Sequence, residues 1–150
     1  SNTYLNFAKK NMELNGFSNS KNYVYTRQDC IEFLKERALA AKSRNLKPED
    51  YYDIIILDPP TFSNSKNTYN VLDINKDWPQ LVKDCLNILS PGGTLYFSTN
   101  STKLVFDRLK LPQATLSGKV IMSEDITSDS IPKDFEGTKC HKAWKFQIAK

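Results

Sequence analysis

The sequence is poor in the residues that most often announce a site: it has one histidine, two methionines and five glycines in 150 residues, and its three cysteines stand far apart. Each scarcity removes a reading. Cys30, Cys85 and Cys140 are odd in number and form no Cys-x-x-Cys pair, so neither a disulfide framework nor a metal site is predicted and the thiols are expected to be reduced. A lone histidine is more often packed or exposed than catalytic, which keeps His141 outside the candidate set. No Gly-x-Gly-x-x-Gly follows any strand-like run, which disfavours a nicotinamide-binding dehydrogenase. No apolar run approaches a membrane span and the N-terminus has no signal-peptide pattern, so the expectation is a cytoplasmic protein with no membrane partner.

What is present suits one globular domain with a real core, 39% apolar and 25% charged. The net charge of +4 is mild but uneven. Lys103, Arg108, Lys110, Lys119, Lys139, Lys142 and Lys145 crowd the last third, while the middle third is net acidic. Any single lysine reads as a solvated face. Together they would suit a phosphate backbone.

The stretch from Asp53 to Phe62, Asp-Ile-Ile-Ile-Leu-Asp-Pro-Pro-Thr-Phe, organises the rest. Its β-branched run predicts a strand covered on both faces, and consecutive prolines forbid ladder or helix beyond Asp58. A parallel sheet carries its site at the carboxyl ends of its strands, so Asp58, Pro59, Pro60 and Phe62 are candidate site residues. Acceptors beside an aromatic plate can grip a planar nitrogen heterocycle. The alternative is a core strand that ends in a proline-rich turn.

In chain order, Ser1-Asn2-Thr3 predicts the cap of a helix with Leu5, Ala8 and Met12 on one face, ending at Asn15-Gly16. Tyr23 to Thr26 predicts a strand, and Asp29-Cys30 stands where it would end. Asp29 is equally a helix N-cap. Ile31, Leu34, Ala38 and Ala41 predict the second helix. Thr61 to Leu72 reads as a polar loop, and its place after the central strand makes Ser63, Asn64 and Lys66 candidate substrate contacts. A third helix carries Trp78, Leu81, Val82, Cys85 and Leu89 on its buried stripe, with Asp77 as cap, and Pro91-Gly92-Gly93 ends it. Thr94 to Ser98 is a clear strand, followed by the polar Thr99-Asn100-Ser101. Lys103 to Lys110 patterns as a short helix, Lys119 to Met122 as a strand, Ser123 to Asp134 as a loop and Ala143 to Ile148 as a final antiparallel strand. This order predicts an α/β layered sheet.

Five stretches carry a resemblance: Ser1 to Asn11, Gln28-Asp29-Cys30, Asp58-Pro59-Pro60-Thr61-Phe62-Ser63-Asn64-Ser65-Lys66, Pro91-Gly92-Gly93-Thr94, and Cys140-His141-Lys142-Ala143-Trp144. The chain resembles a class I S-adenosylmethionine-dependent methyltransferase, and within that class the C-terminal, guanine-N7 half of the bacterial bifunctional 23S rRNA large-subunit guanine methyltransferases. The resemblance implies a Rossmann-like sheet with helices on both faces, lacking its first two strands and its Gly-rich loop, so that residues 1–150 are expected to be the C-terminal two-thirds of one methyltransferase domain. It implies S-adenosyl-L-methionine as cofactor, with Asp29 near the adenine amino group, the backbone of Cys30, and Asp58 with Pro59 near the methyl-donating end. It implies 23S ribosomal RNA as partner.

Chemistry narrows the acceptor. Methylation at pyrimidine C5 needs a nucleophile, and the strand ends hold Ser98, Thr99 and Asn100, Thr61 and Phe62 instead of cysteine. Guanine N7 needs alignment only, for which Asp58, Pro60, Phe62 and Asn100 suffice; an exocyclic amine would use the same acceptors. The competing reading is a non-catalytic RNA-binding or assembly module, or a fragment without a working cofactor site. With its first strands absent, the Asp53 strand is expected at a sheet edge, covered by the Tyr23 strand or by a second copy in a homodimer.

Overall fold

The computed structural model describes residues 2–17, 22–43, 45–64 and 71–150. They fall into two units, Ser1–Phe33 and Leu34–Lys150. In the first unit, α1 spans Asn2–Leu14. Gly16, at φ 80°, ends it: the amides of Gly16 and Phe17 return to the carbonyls of Glu13 and Met12 at 3.1 and 2.9 Å. Only glycine reaches this left-handed conformation without a Cβ penalty. The edge-to-face pair Phe17 and Tyr23, with centroids 6.0 Å apart, packs in the same unit. Tyr23 to Thr26 forms no ladder, contrary to expectation. β-branched and aromatic composition makes a strand only where a neighbour supplies the hydrogen bonds. α2 then runs from Cys30 to Lys42 and buries Leu34, Ala38 and Ala41, three of the four predicted positions.

The second unit is built on β1 (Tyr52–Leu57), β4 (Leu89–Thr99), β5 (Ile121–Asp125) and β6 (Lys142–Ile148), in the order β1-β4-β6-β5. β1 and β4 are parallel, and β6 is antiparallel to both its neighbours. α3 (Ile74–Asn87) makes the crossover between the parallel pair and buries Trp78, Leu81, Val82, Cys85 and Leu86. Its Trp78 stacks on Phe97 of β4 and on Phe106, and Phe106 stacks on Trp144 of β6 at 4.9 Å. Four large rings thus share the sheet face that carries Leu95, Phe97 and Phe146, each fully buried. Among the described residues no helix is long and apolar enough to cross a membrane.

The opposite face differs from the prediction of a strand covered on both sides. Ile54 is 65% and Ile56 76% exposed, and Tyr96, paired with Ile56, shares that open face. An apolar run says that a strand can be buried; it does not say that a neighbour is there to bury it.

Five other boundaries are corrected. The segment 61–72 is not all loop, because β2 (Phe62–Asn64) and β3 (Val71–Asp73) pair antiparallel. α3 starts at Ile74 with Asp73 as its N-cap, and Asp77 instead accepts from the Asp73 amide at 2.8 Å. Pro91-Gly92-Gly93 lies within β4, where the register with β1 shifts between Tyr52 and Ile54, and the helix has already ended at Asn87. Only Arg108–Lys110 of the predicted fourth helix is helical, as a single 3-10 turn, and β5 runs on through Ser123 to Asp125.

Candidate functional site at the carboxyl ends of β1 and β4

β1 stops at Leu57 and Asp58-Pro59-Pro60 continues outside any ladder. The two prolines have no amide hydrogen to give and a fixed φ, so the chain leaves the sheet stiffly. Leu57 pairs with Phe97, which brings the next residues, Asp58 and Ser98, side by side at the ends of the parallel strands. The Ser98 hydroxyl donates to Asp58 Oδ1 at 2.6 Å, a short bond to a charged acceptor. It orients an exposed carboxylate and leaves Oδ2 for another donor.

A second set of bonds fixes the frame around this carboxylate. Thr99 Oγ1 accepts from the Ser101 amide at 3.1 Å, and the Ser101 hydroxyl donates to Asn75 Oδ1 at 2.7 Å. The Asn75 amide and Nδ2 both donate to Asp73 Oδ1, at 3.1 and 3.3 Å. The Ile74 amide donates to the Thr61 carbonyl at 3.2 Å. The first turn of α3 is therefore bonded both to the loop after β4 and to the residue after Pro60. Burial pushes the Asp73 carboxyl up, but the bonds from Asn75, with Lys76 at 3.5 Å, outweigh it and hold the group below the usual carboxylate range.

Phe62 opens β2 opposite Asp73 and is 57% exposed, so its ring is available as a plate. Pro60 and Asn100 are exposed and Pro59 is half-buried. Ser63 and Asn64 complete β2. Lys66 lies outside the described residues. Asp58, Ser98 and Asn100 thus share one edge of the sheet, with Phe62 on the hairpin that follows. Asp29 and Cys30 belong to the first unit. Asp29 Oδ1 accepts from the Ile31 and Glu32 amides at 2.9 and 3.3 Å, so Asp29 does cap α2, and both bonds use the same oxygen. Cys30 is exposed in the first helical turn.

Sequence reasoning missed Ser98, Asn75 and Ser101 as parts of the site. Ser98 could have been found from the parallel register alone, being the residue beside Asp58 on the adjoining strand. Nothing in the sequence links Asn75 to Ser101, because the bond joins a helix start to a distant loop. The basic last third is only partly available to a phosphate chain. Arg108 donates to the carbonyls of Leu111 and Ile121, each at 3.1 Å, Lys142 to that of Leu104 at 2.6 Å, and Lys145 lies 3.9 Å from Glu124.

The arrangement offers a fixed anionic acceptor, stiff extended backbone and an exposed ring, without a thiol at either strand end. It can hold a planar heterocycle and a cationic or hydrogen-bond-donating group next to it, and neither the β1 nor the β4 strand end itself carries a thiol for covalent chemistry on a ring carbon.

No family model matches the chain. It is 41% identical over 148 residues to the ribosomal RNA large subunit methyltransferase K/L of Saccharophagus degradans, covering 98% of this chain and 17% of that protein. It is 35% identical over 147 residues to the ribosomal RNA large subunit methyltransferase K of Neisseria meningitidis, covering 98% of this chain and 37% of the relative. A SAM-dependent methyltransferase from Agrobacterium tumefaciens superposes with a TM-score of 0.66 at 19% identity, over 99% of this chain and 46% of the solved one. The chain therefore has the Rossmann-like fold of SAM-dependent methyltransferases and spans a minor part of each of these proteins.

Proposed function

We propose that this chain, similar over nearly its whole length to a stretch of the large-subunit ribosomal RNA methyltransferases K and K/L, is the part of such an enzyme that presents a guanine of 23S ribosomal RNA for methylation at N7. The observation that carries the reading is Asp58, held by Ser98 at 2.6 Å where β1 runs out into two prolines, in a sequence that matches those relatives throughout. S-adenosyl-L-methionine supplies the methyl group on a positively charged sulfur. In the second unit the Asp58 carboxylate is a fixed negative group suited to the charged end, with Pro59 following it; in the first unit Asp29 and the Cys30 backbone are the residues proposed for the adenine edge.

Guanine N7 carries its own lone pair, so the protein has no proton to remove there. Its task is to align the ring and exclude water. Phe62 stacks on the base, Pro60 stiffens the approach, and Asn100 bonds to the base edge. The test is transfer of labelled methyl from S-adenosyl-L-methionine to undermodified large-subunit RNA by the natural polypeptide that contains this chain, with digestion to nucleosides. Label in 7-methylguanosine is expected. Label in N2-methylguanosine would overturn the N7 assignment, and label in a pyrimidine would overturn the base assignment.

A further inference from the structure

The only histidine of the chain has both ring nitrogens engaged, by residues to which no part in methyl transfer is assigned. His141 Nε2 lies 2.8 Å from Ser130 Oγ, and Cys140 Sγ lies 3.2 Å from His141 Nδ1. The direction of each bond follows from Ser130. Its single hydroxyl hydrogen goes to the Thr127 carbonyl at 2.9 Å, and a carbonyl can only accept. Ser130 Oγ therefore accepts from His141, so Nε2 carries the ring hydrogen and Nδ1 is the bare lone pair. The Cys140 thiol donates to it. Moving that proton from Sγ to Nδ1 breaks none of these contacts: Nδ1–H then donates to the thiolate, while Nε2–H still donates to Ser130. A nucleophile, its base and a third group that orients the base are the parts of an activated thiol.

The other two cysteines lack this arrangement. Cys30 is exposed but has no imidazole bonded to it, and Cys85 is 1% exposed in the core. Cys140 and His141 are half-buried, which leaves a path for a small reagent. The pairing of Lys142 with Thr99 places the Cys140-His141 pair at the same edge of the sheet as Ser98 and Asn100.

We propose that Cys140, His141 and Ser130 form a base-assisted thiol that takes up a low-molecular-weight disulfide as a mixed disulfide. The Cys140 Sγ–H bond breaks as its proton passes to Nδ1, and Sγ forms a bond to one sulfur of the disulfide. The disulfide bond breaks and the departing thiolate takes the proton from the imidazolium. Cys140 is oxidised, half of the disulfide leaves as a free thiol, and atoms and electrons balance.

The test exposes the folded chain briefly to oxidised glutathione at neutral pH and maps the adducts by mass spectrometry. Cys140 carries the first adduct, about tenfold ahead of Cys30, since an imidazole is bonded to the Cys140 thiol to take its proton and none is bonded to Cys30. His141→Gln removes the lead, and Ser130→Ala reduces it while leaving the imidazole in the chain. A faster reaction at Cys30 in the unaltered protein overturns the proposal, as does an unchanged Cys140 rate in both variants. Because the ratio of Cys140 to Cys30 is read first in the unaltered protein, a failure of either variant to fold leaves the test decisive.

Discussion

Phe62 and Cys85 show how differently two apolar side chains of this molecule are used. Phe62 is 57% exposed, paired with Asp73 across the β2–β3 ladder, and its ring is free to stack. Phe62→Ala is expected to weaken binding of a guanine-containing RNA oligonucleotide by about 1–3 kcal/mol, read by a fluorescence titration, with thermal unfolding unchanged. Cys85 is enclosed. Burial, and secondly the neighbouring Asp84 carboxylate, push its thiol up from 9.0 to about 12. A group whose pKa is raised on folding stabilises the native state fully below its unfolded value and loses that contribution as pH climbs through the folded one. Between about pH 9 and 12 the unaltered protein should therefore lose stability more steeply than Cys85→Ala. Denaturant midpoints measured for both across that window decide it, and parallel curves would count against a protonated buried thiol.

At the scale of elements, β4 shows how closely the sheet is packed where its register shifts. A Cβ added at Gly93 would lie 2.9 Å from the Ser90 carbonyl oxygen and 3.1 Å from that of Asp53 on β1, and backbone cannot step aside as a side-chain end can. Gly93→Ala is expected to cost about 1–3 kcal/mol of stability in urea unfolding. β1 carries the opposite risk. Its ladder partner among the described residues is β4 alone, and Ile54 and Ile56 are exposed beside the open edge. A hydrophobic strand edge is a template for association, so the isolated chain should self-associate and Ile56→Lys should keep it monomeric, as light scattering would show. The sequence made β1, the core of β4, β6 and the three helices legible, because each has a run or a stripe that only one period fits. It hid what depends on partners. Tyr23 to Thr26 has strand composition and no ladder, and Ile54 and Ile56 have core composition and no cover. Phe62 pairs with Asp73 across a segment whose polar residues read as loop, and Ser98 meets Asp58 only through a register that strand composition does not encode.

For the molecule as a whole, the parallel crossover from β1 through α3 to β4 is what brings the sequence motif together with Ser98 as a candidate site. It places Asp58 and Ser98 at adjacent strand ends, and the bonds from Ser101 to Asn75 and from Ile74 to Thr61 lock the helix start against both. That the ladder ends before Asp58-Pro59-Pro60 was legible because prolines stop a ladder; the hydrogen bonds behind those residues were not. Asp58 is exposed and lies beyond the ladder, so removing its carboxylate should leave the fold standing. The most direct measurement is therefore labelled methyl transfer to undermodified large-subunit RNA by the natural polypeptide carrying Asp58→Ala, with circular dichroism and thermal unfolding recorded on the same sample. The expected result is a loss of transfer on the order of 100-fold or more with an unchanged melting curve, the scale seen when a fixed electrostatic partner of a reacting group is removed. Transfer at the unaltered rate by the folded Asp58→Ala protein would contradict the assignment.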